Sequence, residues 1–257
     1  MTDAPSRRPP GTPCWASLMA HRADRAREFY GALFGWKFRP GPRELGPYVL
    51  AELNGQRIAG IGEGAASPYR PVAWTTMLAA DDVDQAAETV RECGGTVGIG
   101  PLNAGEEGRM ALAVDPVGAV FGIWQGERMA GADLTGVPGT VLWSKLVTQE
   151  CVRVATFYQD VFGFGIEPSP GGEPYRRVLT VHGRPMAGVQ HVGHQVVRDR
   201  GAHWVTYFAV SDTDAAARRV TALGGKVLEE PHDSRHGRLA RVADPEGGTF
   251  SLLARPA

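Results

Sequence analysis

WASLMAHRADRAREFYGALFGW at residues 15–36 returns in altered form as WSKLVTQECVRVATFYQDVFGF at residues 143–164. Trp, Phe-Tyr, Phe-Gly and a closing aromatic recur at a constant offset of 128 residues. Further along, Gly55 and Gly60 match Gly183 and Gly188, and the stretch from Trp74 to Pro101 matches that from Trp204 to Pro231. The ends match as well, Asp115-Pro116 through Phe121 against Asp244-Pro245 through Phe250. This period is far longer than a solenoid unit, which runs to about 50 residues. The chain therefore reads as two homologous modules, 11–125 and 140–254. The Gly-rich, aperiodic segment 126–139 is the expected linker.

Composition fits that reading. A chain of 257 residues with 43% hydrophobic content has ample material for a core. The 27 basic and 28 acidic residues leave a formal charge of -1 without strong blocks of either sign, which argues against a nucleic-acid or acidic-membrane surface. No apolar run approaches the roughly 18 residues that read as a membrane span. The opening MTDAPSRRPPGTP has no hydrophobic segment behind its arginines, so it reads as a short disordered arm and not a secretory signal. Cys14, Cys93 and Cys151 are too scattered for a disulfide framework or a paired-thiol site. The default expectation is a cytoplasmic protein, monomeric or homodimeric.

Each module reads as two strand-helix-strand-strand units. In the first, a strand over Trp15–Ala20 precedes a helix from about Asp24 to Phe34, with Ala26, Phe29, Tyr30 and Leu33 on one face and Gly35 as the stop. Asn54-Gly55 marks a tight hairpin between Tyr48–Leu53 and Arg57–Ile61. A strand over Trp74–Ala79 then leads through a capping Asp82 to a helix that Gly94-Gly95 ends. Met110–Val114 and Val120–Trp124 close the module around the Asp115-Pro116-Val117-Gly118 turn.

This pattern resembles the vicinal oxygen chelate superfamily, which includes glyoxalases, bleomycin-resistance proteins and extradiol dioxygenases. The carriers are the helix ending in Phe-Tyr-x-x-(Leu/Val)-Phe-Gly and the Asp-Pro-x-Gly turn before a hydrophobic strand. The resemblance covers Gly11 to Leu253. More narrowly, the chain is similar to tandem-module actinobacterial proteins described as hydroxylase-like or glyoxalase-like. It implies an α+β fold of paired βαβββ units, with mixed sheets curled into cups.

Metal-dependent members of the family place His, Gln or Glu at the opening strands and Glu near the end of the last strand. By spacing from Phe-Tyr and Asp-Pro, those positions fall on Trp15, Trp143, Gly122 and Ser251. The opening of the later strand unit reads Trp74-Thr75 and Trp204-Val205. Tryptophan offers only a donor and glycine no side chain, so this set does not suit a divalent cation. No metal or other cofactor is expected. His182, His191, His194, His203, His232 and His236 gather in the second module, and His191-Val-Gly-His194 has chelate spacing without an acidic or thiol partner. They are either solvent-facing or part of a ligand rim.

Four tryptophans thus open four matching strands. They either pack the junction between sheets or line a pocket for a flat molecule. Strand alternation adds companions: Ser17 and Met19 share the face of Trp15, and Lys145 and Val147 share that of Trp143. Lys145 is either an anion or substrate-oxygen anchor, or a chain that reaches solvent. The candidate ligand contacts are Trp15, Ser17, Tyr48, Trp74, Thr76, Trp143, Lys145, Tyr175, Trp204, Thr206, Phe208 and Ser251, with Trp124 beside them. Tyr207 has the opposite strand parity from Phe208, so one of the two should face the pocket. Arg109 and Arg238, each after a matching glycine, either gate the ligand or lie on the surface.

Neither a phosphate-cradling glycine loop nor a nucleophile elbow occurs. The primary expectation is metal-independent binding of a small aromatic or polycyclic metabolite or antibiotic, in antibiotic biosynthesis or resistance. An alternative is a metal-free enzyme of secondary metabolism, hydroxylase-like, isomerase or cyclase, with Lys145, His203 and Tyr175 as the catalytic candidates. A degenerate member with an interaction role is the third.

Overall fold

Residues 7–64, 71–169, 176–193 and 201–256 are described by the computed structural model of the chain. The first repeat contains β1 (Pro13–Ala20), α1 (Ala23–Phe34), β2 (Lys37–Pro40), β3 (Tyr48–Leu53) and β4 (Gln56–Glu63). It continues with β5 (Ala73–Ala79), α2 (Val83–Glu92), β6 (Thr96–Asn103), β7 (Gly108–Val114) and β8 (Val120–Gly126). The second repeat has β9 (Val141–Thr148), α3 (Cys151–Phe162), β10 (Gly165–Pro168), β11 (Arg176–Val181) and β12 (Arg184–His191). It ends with β13 (His203–Ala209), α4 (Thr213–Ala222), β14 (Lys226–Ser234), β15 (Gly237–Ala243) and β16 (Thr249–Ala254). Each repeat is therefore βαβββ twice over.

The strands form two eight-stranded mixed sheets, in the orders β2-β3-β4-β1-β5-β8-β7-β6 and β10-β11-β12-β9-β13-β16-β15-β14. The pairs β1–β4, β5–β8, β9–β12 and β13–β16 are parallel. The expectation of sheets curled into cups is corrected here. Neither sheet closes or curls strongly, since each runs from one unpaired edge strand to another. Closure needs the first and last strands to pair. The edge strands β6 and β14 instead carry two register shifts each against their neighbours, which end regular pairing. These edges, with β2 and β10, carry little apolar alternation and are largely exposed, so the sequence gives them no signal.

The compact units cut across the repeats. One joins Met1–Cys14, Thr76–Gly131 and Ser144–Trp204; the other joins Trp15–Thr75, Ala132–Trp143 and Val205–Ala257. Each has its own core, built from half of each repeat. In the second unit, Tyr30 at the end of the Phe-Tyr pair packs edge-on against Trp74, and Trp74 Nε1 donates to Tyr30 Oη at 2.9 Å. Tyr30 Oη in turn donates to Asp244 Oδ2 at 2.9 Å. The other carboxylate oxygen accepts from the backbone N–H groups of Glu246 and Gly248, closing the Asp-Pro turn. The first unit repeats this relay: Trp204 to Tyr158 at 2.9 Å, Tyr158 to Asp115 at 3.2 Å, and Asp115 to the N–H groups of Val117 and Ala119. The Phe-Tyr of one repeat thus locks onto the Asp-Pro of the other.

The two opening residues of the chain's docked segment correct the expectation of a disordered arm. Gly11 N–H donates to Ala79 O and Ala79 N–H to Thr12 O, each at 2.9 Å, so the arm is held from Gly11 onward.

A polar contact present in one unit is missing from the other. Thr76 Oγ1 donates to Ser144 Oγ at 3.4 Å, but the matching Thr206, 1% exposed, has a buried hydroxyl without a partner among the described residues. The position corresponding to Ser144 is Ala16. A buried hydroxyl left unpaired costs about 1–3 kcal/mol. Thr206→Val is therefore expected to raise stability by about 1 kcal/mol in urea denaturation; an equal loss would mean that the hydroxyl is satisfied.

Candidate functional site

Strand alternation divides β1 cleanly. Ala16, Leu18 and Ala20 enter the core beneath α1, leaving Trp15, Ser17 and Met19 on the opposite face. There they meet Tyr48 from β3. Trp15 Nε1 donates to Tyr48 Oη at 3.0 Å, and Ser17 Oγ lies 3.0 Å from the same oxygen. The floor under the phenol is glycine: Ser17 pairs with Gly60 and Met19 with Gly62 across β1–β4. A Cβ on Gly60 would overlap the Tyr48 ring, and one on Gly62 would stand 2.7 Å from Met19 Sδ. Met19, 41% exposed, forms the open side of this patch.

The hydrogen bonds define its polarity. Burial pushes the Tyr48 phenol above its ordinary value, with the bonds from Ser17 and Trp15 pulling the other way, so it is a neutral hydroxyl at physiological pH. The Trp15 N–H occupies one acceptor site on Tyr48. Tyr48 and Ser17 then hold two hydroxyl protons but share one bond, in which either can donate. One proton remains to be given to an outside acceptor.

The corresponding face of β9 carries Trp143, Lys145 and Val147, opposite Ser144 and the core residue Leu146. Trp143 and Lys145 are half-buried, and Lys145 pairs in register with Gly188 of β12. On β13, Phe208 is fully buried and packs on Trp74 with ring centroids 5.1 Å apart. Tyr207 therefore takes the outer face, in register with Ser251, which in turn pairs with Arg241. Of the pair that alternation sets apart, Phe208 thus lies on the core side of β13 and Tyr207 on the other.

The sequence candidates divide by what they contact. Trp15, Ser17 and Tyr48 come together. Trp74 and Trp204 lie in the packed cores with their ring nitrogens spent on Tyr30 and Tyr158. Thr76 and Thr206 are buried beside them, each 1% exposed. Trp124 is buried and donates to Met129 O at 2.7 Å. His203 is half-buried with Nδ1 3.0 Å from Gly201 O, and His191 Nδ1 lies 2.9 Å from Gln149 O. Tyr175 and His194 lie outside the described residues. Arg109 and Arg238 are taken up by ion pairs with Asp84 and Asp214, in the first turns of α2 and α4.

The donor set does not fit a divalent metal. Met77 pairs with Gly122, and its thioether fills the space a side chain at 122 would take. Among the described residues, no three His, Cys, Asp or Glu side chains converge as metal ligands.

Comparison with known proteins bears on the family and the fold. A glyoxalase-like domain model matches residues 145–253. The chain is 37% identical over 251 residues to a putative glyoxylase, CFP32, of Mycobacterium bovis, covering 95% of this chain and 94% of that protein. It is 35% identical over 266 residues to the anthracycline biosynthesis protein DnrV of Streptomyces peucetius, covering 95% and 93%. Among solved structures, the Mn(II)-bound glyoxalase from Novosphingobium aromaticivorans superposes with a TM-score of 0.64 at 17% identity, over 96% of this chain and 82% of that one. The 2,3-dioxygenase LapB from Pseudomonas sp. KL28 gives 0.63 at 15% identity, over 97% and 93%. At these identities the structures speak for the fold. Among the described residues, no helix is long and apolar enough to cross a membrane.

Proposed function

Because the chain belongs to the vicinal oxygen chelate superfamily, in the tandem two-module form of its actinobacterial relatives, we propose that it binds a small planar aromatic molecule without a metal. The observation that carries this reading is the Trp15–Tyr48–Ser17 cluster: an aromatic wall, a glycine floor and one hydroxyl proton in search of an acceptor. That chemistry suits a polycycle bearing a carbonyl or quinone oxygen. The anthracycline biosynthesis role printed for DnrV points to the same class, since anthracyclines are planar polycycles rich in such oxygens. The repeats are assigned as 11–125 and 140–254, joined by 126–139; Trp143 and Ser251 are further proposed contacts in the unit of Trp15, and Lys145 is one in the other unit. Trp74, Thr76, Trp204, Thr206 and Phe208 support the sheets from behind.

A second reading is favoured by the same donor. A hydroxyl that hydrogen-bonds a carbonyl also polarises it, which suits a metal-free isomerase-like step on such a molecule.

A titration of a hydroxylated anthraquinone against tryptophan fluorescence tests the binding reading. Tyr48→Phe removes one hydroxyl and is expected to weaken binding about tenfold, the worth of one net hydrogen bond. Exhaustive chelation is expected to leave the affinity unchanged. Binding that disappears on chelation and returns with Mn(II) would refute metal independence.

A further inference from the structure

A cavity of about 490 Å³ lies between the chain's opening arm and the β11–β12 hairpin, lined by Arg8, Pro9, Thr12, Val181, His182, Arg184 and Met186. Three of these side chains are basic and none is acidic. His182 and Arg184 make no hydrogen bond or ion pair with any described residue. Thr12 is 9% exposed, and its buried hydroxyl has no partner among the described residues. The arm is pinned from below, because any Cβ on Gly11 would lie 2.8 Å from the Phe164 ring.

The other repeat supplies an internal control. Thr140 matches Thr12, and its backbone repeats the same bonds, from Gly139 N–H to Ala209 O and from Ala209 N–H to Thr140 O. Its hydroxyl, however, is satisfied: it donates to Val137 O at 2.8 Å and accepts from Val137 N–H at 3.1 Å. The residue matching Val137 is Pro9, which has no N–H to give. The hairpins differ in the same sense. Asn54 and Gln56 of the first become His182 and Arg184 in the second. The arginine of the first hairpin, Arg57, is clamped by the linker residue Asp133, whose carboxylate meets Nε at 2.9 Å and Nη2 at 3.0 Å. The arginine of the second has no such carboxylate among the described residues.

We propose that this cavity is an anion-binding site for the carboxylate or phosphate group of a small organic acid. Arg184 supplies the charge, the Thr12 hydroxyl and the His182 ring supply directed donors, and Pro9, Val181 and Met186 contact the apolar body. The ligand takes the part that Asp133 plays for the first hairpin. Neither the Trp15–Tyr48 face nor any metal is involved.

Benzoate and inorganic phosphate, titrated separately into the full chain, distinguish the sources by their effect on backbone amide resonances. Benzoate is expected to move Gly11 and Gly183 saturably, and phosphate to do so more weakly. Arg184→Gln is expected to weaken benzoate about tenfold, as the loss of one charge-assisted hydrogen bond does, and Thr12→Val severalfold. Arg57→Gln, whose partner is Asp133, is expected to leave it unchanged. Phosphate binding as tightly as benzoate would overturn the organic part of the assignment. Shifts confined to Ser17 and Gly60, or benzoate binding indifferent to Arg184→Gln, would overturn the site itself.

Discussion

Asp244→Ala is expected to cost about 4 kcal/mol of stability, the largest loss for any single side chain of the relay. The carboxylate accepts from Glu246 N–H, Gly248 N–H and Tyr30 Oη while 4% exposed. Removing it strands three donors in a region closed to water. Tyr30→Phe breaks one of those bonds and also takes the acceptor from Trp74, so about 2 kcal/mol is expected there. Asp115→Ala should match Asp244→Ala, because the same relay closes the other unit through Tyr158. Urea denaturation of the three variants measures this directly. Losses below about 1 kcal/mol would show that the relay is incidental to folding.

The two aspartates also give the pH dependence a definite sign. Burial pushes both carboxyls above the ordinary carboxylate value, against the lowering effect of their turn N–H groups and tyrosines. The native chain therefore takes up these protons before the unfolded chain does. Their contribution is complete below the unfolded value of 3.8 and is lost as pH rises through the raised folded value. Exposed Asp24, Asp84 and Asp214, held low by hydrogen bonds from arginine partners, act in the opposite direction. The difference between the wild type and an Asp115→Asn, Asp244→Asn double variant isolates the buried pair. The wild type is expected to gain on the variant as pH falls from 7 toward about 4; a gap that stays flat would contradict this.

The relay also shows what the repeat could and could not reveal. Trp, Phe-Tyr and Asp-Pro were visible as separate signatures, each at its own offset. Their union was not, because Tyr30 and Asp244 stand 214 positions apart and belong to different repeats. Periodicity reports which face of an element is apolar, but not which distant element covers it. For the same reason Trp74 and Trp204 could be read as pocket walls. They open their strands as Trp15 opens β1, yet they share parity with core residues such as Leu78 and Phe208. On β1 the alternation was informative, since Ala16, Leu18 and Ala20 leave Trp15 and Ser17 one direction to face. Tyr48 was legible as an edge residue, but its contact with both became visible only when the glycine floor was placed beneath it.

That floor makes the strongest functional prediction. Gly60→Val is expected to abolish the Trp15–Tyr48–Ser17 cluster, because a Cβ at 60 would lie 2.7 Å from Tyr48 Cε1 and closer still to the hydroxyl. The backbone at Gly60 is held by β1 on one side and β3 on the other, so the phenol must move and the strand cannot. Trp15 then loses its acceptor and Ser17 its partner. Affinity for a hydroxylated anthraquinone is expected to fall about 100-fold, the scale of a lost aromatic anchor. Stability should fall by about 2 kcal/mol as the ring leaves its packed position. The cause can be separated from general damage by placing the same valine in a Tyr48→Ala background. With the ring gone the three nearest atoms that this Cβ meets are removed, so the two substitutions should couple by about 1–2 kcal/mol in a double-mutant cycle. Additive losses would mean that Gly60 serves the strand and not the phenol. The proposed ligand face would then lose its floor, and the spare hydroxyl proton would have no fixed place from which to meet a carbonyl oxygen.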